Sequence, residues 1–175
     1  MFEDYLQDAH YFLGQAKAAD DERSARRLYR AAVFYTAAAV EAFVNYVGDT
    51  LQKGERFDAH EIAFLTDKKF GLHASKFEAL AQSEFHRLED KLVFLITKFG
   101  APLDRAANPA WSRFQEFKKL RDAIIHPRKD EDDISLGRYE RSVAVGLSSS
   151  IEIIDCLCMG VFRRHVRRKI LDLAH

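Results

Sequence analysis

Apolar residues recur at intervals of three and four along most of the chain, the spacing that gives a helix one apolar face. The first such segment spans 3–19. A second opens near Asp20 and Asp21, whose charge suits a helix N-terminus, and runs to residue 52 with Val33, Val40, Phe43 and Val47 on its core stripe. Residues 54–75 break the pattern and are expected to form a loop-rich excursion holding one short helix. A third long helix is expected over 77–99, stopped by Gly100 and Pro102. Asn108 before Pro109 reads as an N-cap with proline in the first turn. The helix it opens ends at His126, because Pro127 disfavours helical dihedrals in the residue before it. A last helix is expected over 136–173, bending near Gly146 or Gly160. No segment shows the period-two alternation of a strand, and no internal repeat is visible. The expected fold is therefore all-α: a single-domain, up-down bundle of about five main helices over residues 1–175.

Composition narrows the class without naming a partner. A chain of 175 residues buries roughly 70% of the surface its unfolded form exposes, enough for one core without staples. Hydrophobic residues at 47%, charged residues at 31% and a formal net charge of +0 fit a globular protein. Cys156 and Cys158, two apart on a helix, point away from each other and are not expected to bridge. The N-terminal MFEDYLQDAH lacks the basic region and apolar run of a signal peptide. The longest uninterrupted apolar run is short of the roughly 20 residues of a membrane span. A soluble, cytoplasmic protein with no membrane partner is expected. The seven histidines show no paired metal-ligand spacing, so neither metal nor cofactor is expected.

Three groups of residues carry candidate chemistry. In KKLRDAIIHPR, Arg121, Asp122 and His126 concentrate hydrogen-bonding groups where a helix runs out. Asp122 and His126, four apart, share a face, so the carboxylate can accept from one ring nitrogen; Arg121 and His126, five apart, diverge by roughly 140°. They converge on one substrate only if the last turn unwinds or a second copy faces the first. The alternative is a capping set, with Arg121 and His126 donating to terminal carbonyls. Glu41 lies among Phe34, Ala37, Ala38, Val44, Asn45 and Gly48, a surface that should be packed, so the carboxylate needs a partner. It either lines a cleft and orients Arg121 or His126, or sits in a structural ion pair elsewhere. In FRRHVRRK, helical spacing would align Arg163 with Arg167 and Arg164 with Arg168 on a basic face that tracks an RNA backbone or is simply solvated. Arg128 and Lys129 follow the motif directly and suit phosphate contact, but the acidic DEDD comes next. The aromatic residues recur at helical spacing, as core residues do.

RDAIIH resembles the Arg-x(4–6)-His signature of the HEPN superfamily, in which a polar residue commonly follows the arginine, as Asp122 does. An early, alanine-rich long helix with an embedded glutamate, AAAVEAFVNYV, extends the resemblance over about 23–173, with 56–75 unplaced. Aspartate rather than asparagine after the arginine is a departure that bears on the fine hydrogen bonding. The resemblance implies a HEPN-like helical bundle and metal-independent RNA cleavage by a homodimer whose two Arg/His pairs form one cleft. Arg121 and His126 would be catalytic, with Asp122 beside them. RNA supplies its own 2′-hydroxyl nucleophile; the enzyme removes its proton, stabilises the phosphorane and protonates the leaving 5′ oxygen. Histidine, with an ordinary pKa of about 6.5, serves as acid or base near neutrality. Arginine presents a fixed fork of donors to the growing charge. A toxin or defence role, with an antitoxin or other regulatory protein as partner, is also implied. The alternative is a non-catalytic module of that type binding RNA, nucleotide or a protein; a purely structural oligomeric bundle is the plainest reading.

Overall fold

The computed structural model describes residues 1–51, 56–126 and 134–174. Helix α1 (Phe2–Lys17) packs along α2 (Glu22–Leu51), the long helix foreseen in the sequence. Val33, Val40, Phe43 and Val47 are all fully buried, as their spacing requires. Aromatic contacts knit the pair: Phe2 meets Phe43 edge-on at 5.2 Å, and Phe12 stacks on Tyr35 at 5.2 Å. A short α3 (Ala59–Leu65) follows, capped by Asp58 and Glu61 in a reciprocal box. Helices α4 (Leu88–Phe99), α5 (Pro109–Ile125) and α6 (Leu136–Phe162) complete the bundle, with α6 against α1, α2, α4 and α5. The chain closes with α7 (Arg168–Leu171) and a 3-10 turn, Asp172–Ala174. The architecture is mostly helical, with a small sheet.

That sheet corrects two expectations. Strands β1 (Lys68–His73) and β2 (Lys76–Ser83) form an antiparallel hairpin where a loop and the first turns of a 77–99 helix were expected. His73 pairs with Lys76 across a two-residue turn, and both turn residues, Ala74 and Ser75, have positive φ (48° and 67°). That is the geometry a tight hairpin demands, built here without the Asn-Gly or Asp-Gly pair that announces it. Helix α4 accordingly starts at Leu88. Its end was legible: Gly100 caps it in the left-handed region, at φ 56°.

The last helix is also shorter than its pattern suggested. Arg163 adopts a left-handed conformation (φ 57°) and ends α6 at Phe162. The Asp155 carboxylate, one face of α6 back, accepts from the Val166 amide (2.9 Å) and sits 2.8 Å from His165 Nδ1, drawing the chain out of helical register. Gly146 and Gly160 mark close approaches of α6 to its neighbours. A Cβ on Gly146 would stand 2.2 Å from Phe117 of α5, and one on Gly160 would stand 3.0 Å from Ala101.

Helices α2 and α6 are long and apolar enough to cross a bilayer by length and composition alone. Half of the apolar stretch of α2 and 61% of that of α6 are buried inside the bundle, where the same residues serve as core.

Candidate functional site

Helix α5 begins where the Asn108 side chain accepts from the Ala110 amide (2.7 Å) and Pro109 occupies the first turn. Buried Trp111, Phe114, Phe117 and Leu120 fix its inner face. This seats Lys118 and Arg121, three apart, toward α2 and α4 at the wall of a cavity of about 420 Å³.

Arg121 is held from two sides. Its Nη2 donates to Glu41 Oε1 (2.9 Å) and its Nη1 to Asp122 Oδ1 (2.7 Å). The Arg121 side chain is only 26% exposed, whereas that of Glu41 is 49% exposed. Glu41 is thus a half-open wall residue, not the enclosed carboxylate its apolar neighbours suggested, and its partner is Arg121. Two charge-assisted bonds hold the fork in one orientation, and its remaining N–H donors have no partner among the described residues. Opposite Arg121 the cavity is lined by Asp67, Phe85, His86, Arg87 and Lys91, a set the sequence reading did not single out. Asp67, at a positive φ of 54°, ties this wall together: its carboxylate accepts from the His86 amide (2.8 Å) and from Lys91 Nζ (2.5 Å), and its carbonyl from the Glu84 amide (2.9 Å). Lys91 is 3% exposed, so this pairing is what lets a cation sit there. Lys118 bonds Glu89 (2.9 Å). Arg121, Asp122 and Glu41 were readable beforehand; the α4 and hairpin residues arrive through contacts distant in sequence.

His126 is the C-cap of α5 (φ −122°, ψ 64°), and its amide donates to the Asp122 carbonyl (2.9 Å). Its ring is exposed and makes no hydrogen bond among the described residues. The expected hydrogen bond from the His126 ring to Asp122 is not formed; the Asp122 carboxylate is engaged by Arg121. His126 is not among the residues that line the cavity holding Arg121. Arg128 and Lys129 lie outside the described residues.

The C-terminal run is not one helical face. Arg167 pairs with Glu3 of α1, Arg164 lies over the Phe162 ring (5.9 Å), and the break at Arg163 separates it from Arg168. Arg164, His165 and Arg167 border a second depression, about 930 Å³, that shares Glu41 and Asn45 with the first. Cys158 lines it, and burial, reinforced by Asp155, pushes its thiol up to about 12; burial raises Cys156 as well, with Glu152 and Asp155 adding to it. Both cysteines are free. Alkylation near pH 8 should therefore be slow at both thiols in the folded protein and fast after denaturation, because the thiolate is the reacting species. Rapid labelling of folded protein, mapped by mass spectrometry, would contradict the burial.

No group of three or more His, Cys, Asp or Glu converges as a metal site among the described residues. No family model, curated protein or solved structure matches the chain.

Proposed function

We propose that this chain is a metal-independent endoribonuclease of HEPN type, acting in the cytoplasm as a homodimer. The observation that carries the reading is the oriented guanidinium: Arg121, fixed by Glu41 and Asp122, lines a cavity of about 420 Å³ with donors that have no other partner among the described residues. Such a fork is suited to the non-bridging oxygens of a phosphate as negative charge builds on them. His126, exposed at the helix end with an unengaged ring, supplies proton transfer, removing the 2′-hydroxyl proton or protonating the departing 5′ oxygen. Because His126 does not line the cavity that holds Arg121, the reading draws on a second copy. Apolar surface is available for it: Ile125 lies one turn beyond Arg121 and Phe34 two turns before Glu41, and both are exposed.

The decisive experiment is incubation of nuclease-free preparations with single-stranded RNA in excess chelator. Products ending in 2′,3′-cyclic phosphate are expected, and a deoxy sugar at the cut site should block cleavage. Sedimentation at tens of micromolar should show a dimer. Intact RNA throughout, or a monomer, would overturn the reading.

One observation favours the alternative, a non-catalytic module that binds nucleotide or RNA. Arg121 faces two carboxylates, so the triad's formal charge is negative before any phosphate arrives. The two readings diverge at Glu41→Gln. In an enzyme, losing the charge that orients Arg121 should lower kcat about ten-fold while RNA binds more tightly, since one repulsion is gone. A simple binding module would show the tighter binding with no turnover to lose.

A further inference from the structure

The segment between β2 and α4 carries Phe85, His86 and Arg87, which line the Arg121 cavity. His86 is drawn inward: its amide donates to Asp67 and its ring lies 4.8 Å from Phe64. Phe85 and Arg87 flank it in the chain. Both are exposed. Phe85, at 84%, is the most exposed large apolar side chain among the described residues and has no ring partner there. The hairpin's Phe77 is different, since it stacks on Phe70 at 5.6 Å. Arg87 likewise has no carboxylate partner among the described residues, while Lys91, Lys118 and Arg121 in the same cavity are all paired.

An unpartnered ring and an unpartnered planar cation, two residues apart on a segment clamped by Asp67, form what a single-stranded nucleotide uses: a face to stack on and a fork for the adjoining phosphate. We propose that Phe85 and Arg87 are a nucleotide subsite of the Arg121 cavity, Phe85 stacking on a base and Arg87 holding the flanking phosphate. The choice of RNA as the ligand rests on the ribonuclease reading.

The test uses the full chain and an oligoribonucleotide with 2′-fluoro sugars, which lacks the nucleophile and stays intact, carrying 2-aminopurine at successive positions. Stacking on Phe85 should quench fluorescence at one or two adjacent positions. Phe85→Ala should remove the quench and weaken binding about ten-fold, while Phe85→Trp should keep both. Arg87→Ala should lower the slope of log affinity against log salt by about 0.7, one phosphate's worth for a single strand. If wild type cleaves ordinary RNA but Phe85→Ala keeps the quench and the affinity, the subsite is overturned and the ribonuclease reading survives. If wild type does not cleave but shows a quench that Phe85→Ala removes, the subsite stands on a binding module. Loss of the dimer in Phe85→Ala, with binding reduced equally at every position, would make Phe85 an interface residue and overturn the proposal. No RNA binding at all overturns both.

Discussion

Cleavage of single-stranded RNA by His126→Ala should fall by on the order of 10²-fold or more. Fold and self-association should be unchanged, because the ring is exposed and makes no hydrogen bond among the described residues. A surface replacement of this kind shifts stability by no more than about 0.5 kcal/mol, so lost activity would report chemistry. Arg121→Ala should cost on the order of 10²–10³-fold, the scale of removing a donor aimed at developing charge. Glu41 and Asp122 would be left unpaired but are open enough to water to keep their charge without unfolding the helix end. Arg121→Lys should not restore activity. Nη1 and Nη2 now reach two different carboxylates at 2.7 and 2.9 Å, and a single ammonium cannot span both and still present a fork to phosphate. Circular dichroism and sedimentation on each variant separate these effects from misfolding. His126→Ala cutting as well as wild type would remove the enzymatic reading and leave the binding module.

The helical part of this architecture was legible because its signals are local. The α2 stripe, the Asn108–Pro109 start of α5, the Gly100 stop of α4 and the His126 boundary are each encoded within a turn or two of where they act. The hairpin was not, since its turn uses Ala74 and Ser75 rather than the usual residues and both strands are largely exposed, so no buried face imposes alternation. The end of α6 was hidden for a related reason. Asp155 captures a segment eleven residues ahead, and helical spacing alone continues through Arg163. At the site, Arg121, Asp122 and Glu41 were singled out, but the contact between them joins positions 80 apart in sequence. The wall formed by Asp67, Phe85, Arg87 and Lys91 depends on the hairpin and was missed with it.

The contact between Gly146 and Phe117 should dominate the stability of the α5 seat. Phe117 is fully enclosed, and Phe117→Ala should cost about 3–5 kcal/mol, the transfer term plus a cavity that the flanking helices cannot fully close. Gly146→Ala would ordinarily gain up to about 1 kcal/mol in a helix interior. Here the added Cβ would lie 2.2, 2.5 and 2.9 Å from three Phe117 atoms, the last being its Cβ, which cannot swing away. Steric displacement should therefore win, for a net loss of about 1–3 kcal/mol. Combining the two removes the ring contacts at 2.2 and 2.5 Å and leaves only the 2.9 Å approach to the Cβ at position 117, while the new methyl fills part of the void. The double variant should be less destabilised than the sum of the singles by at least about 1 kcal/mol, a coupling typical of side chains in contact. Urea unfolding with matched m-values measures this, and additivity within about 0.5 kcal/mol would show that the helices simply separate. Phe117 also lines the Arg121 cavity, four residues before Arg121 on the same face of α5. Gly146→Ala should consequently depress RNA cleavage more than Leu6→Ala, a core truncation in α1 away from that cavity, when both are assayed well below their unfolding midpoints. Equal losses would mean that the helix crossing sets stability without positioning the arginine.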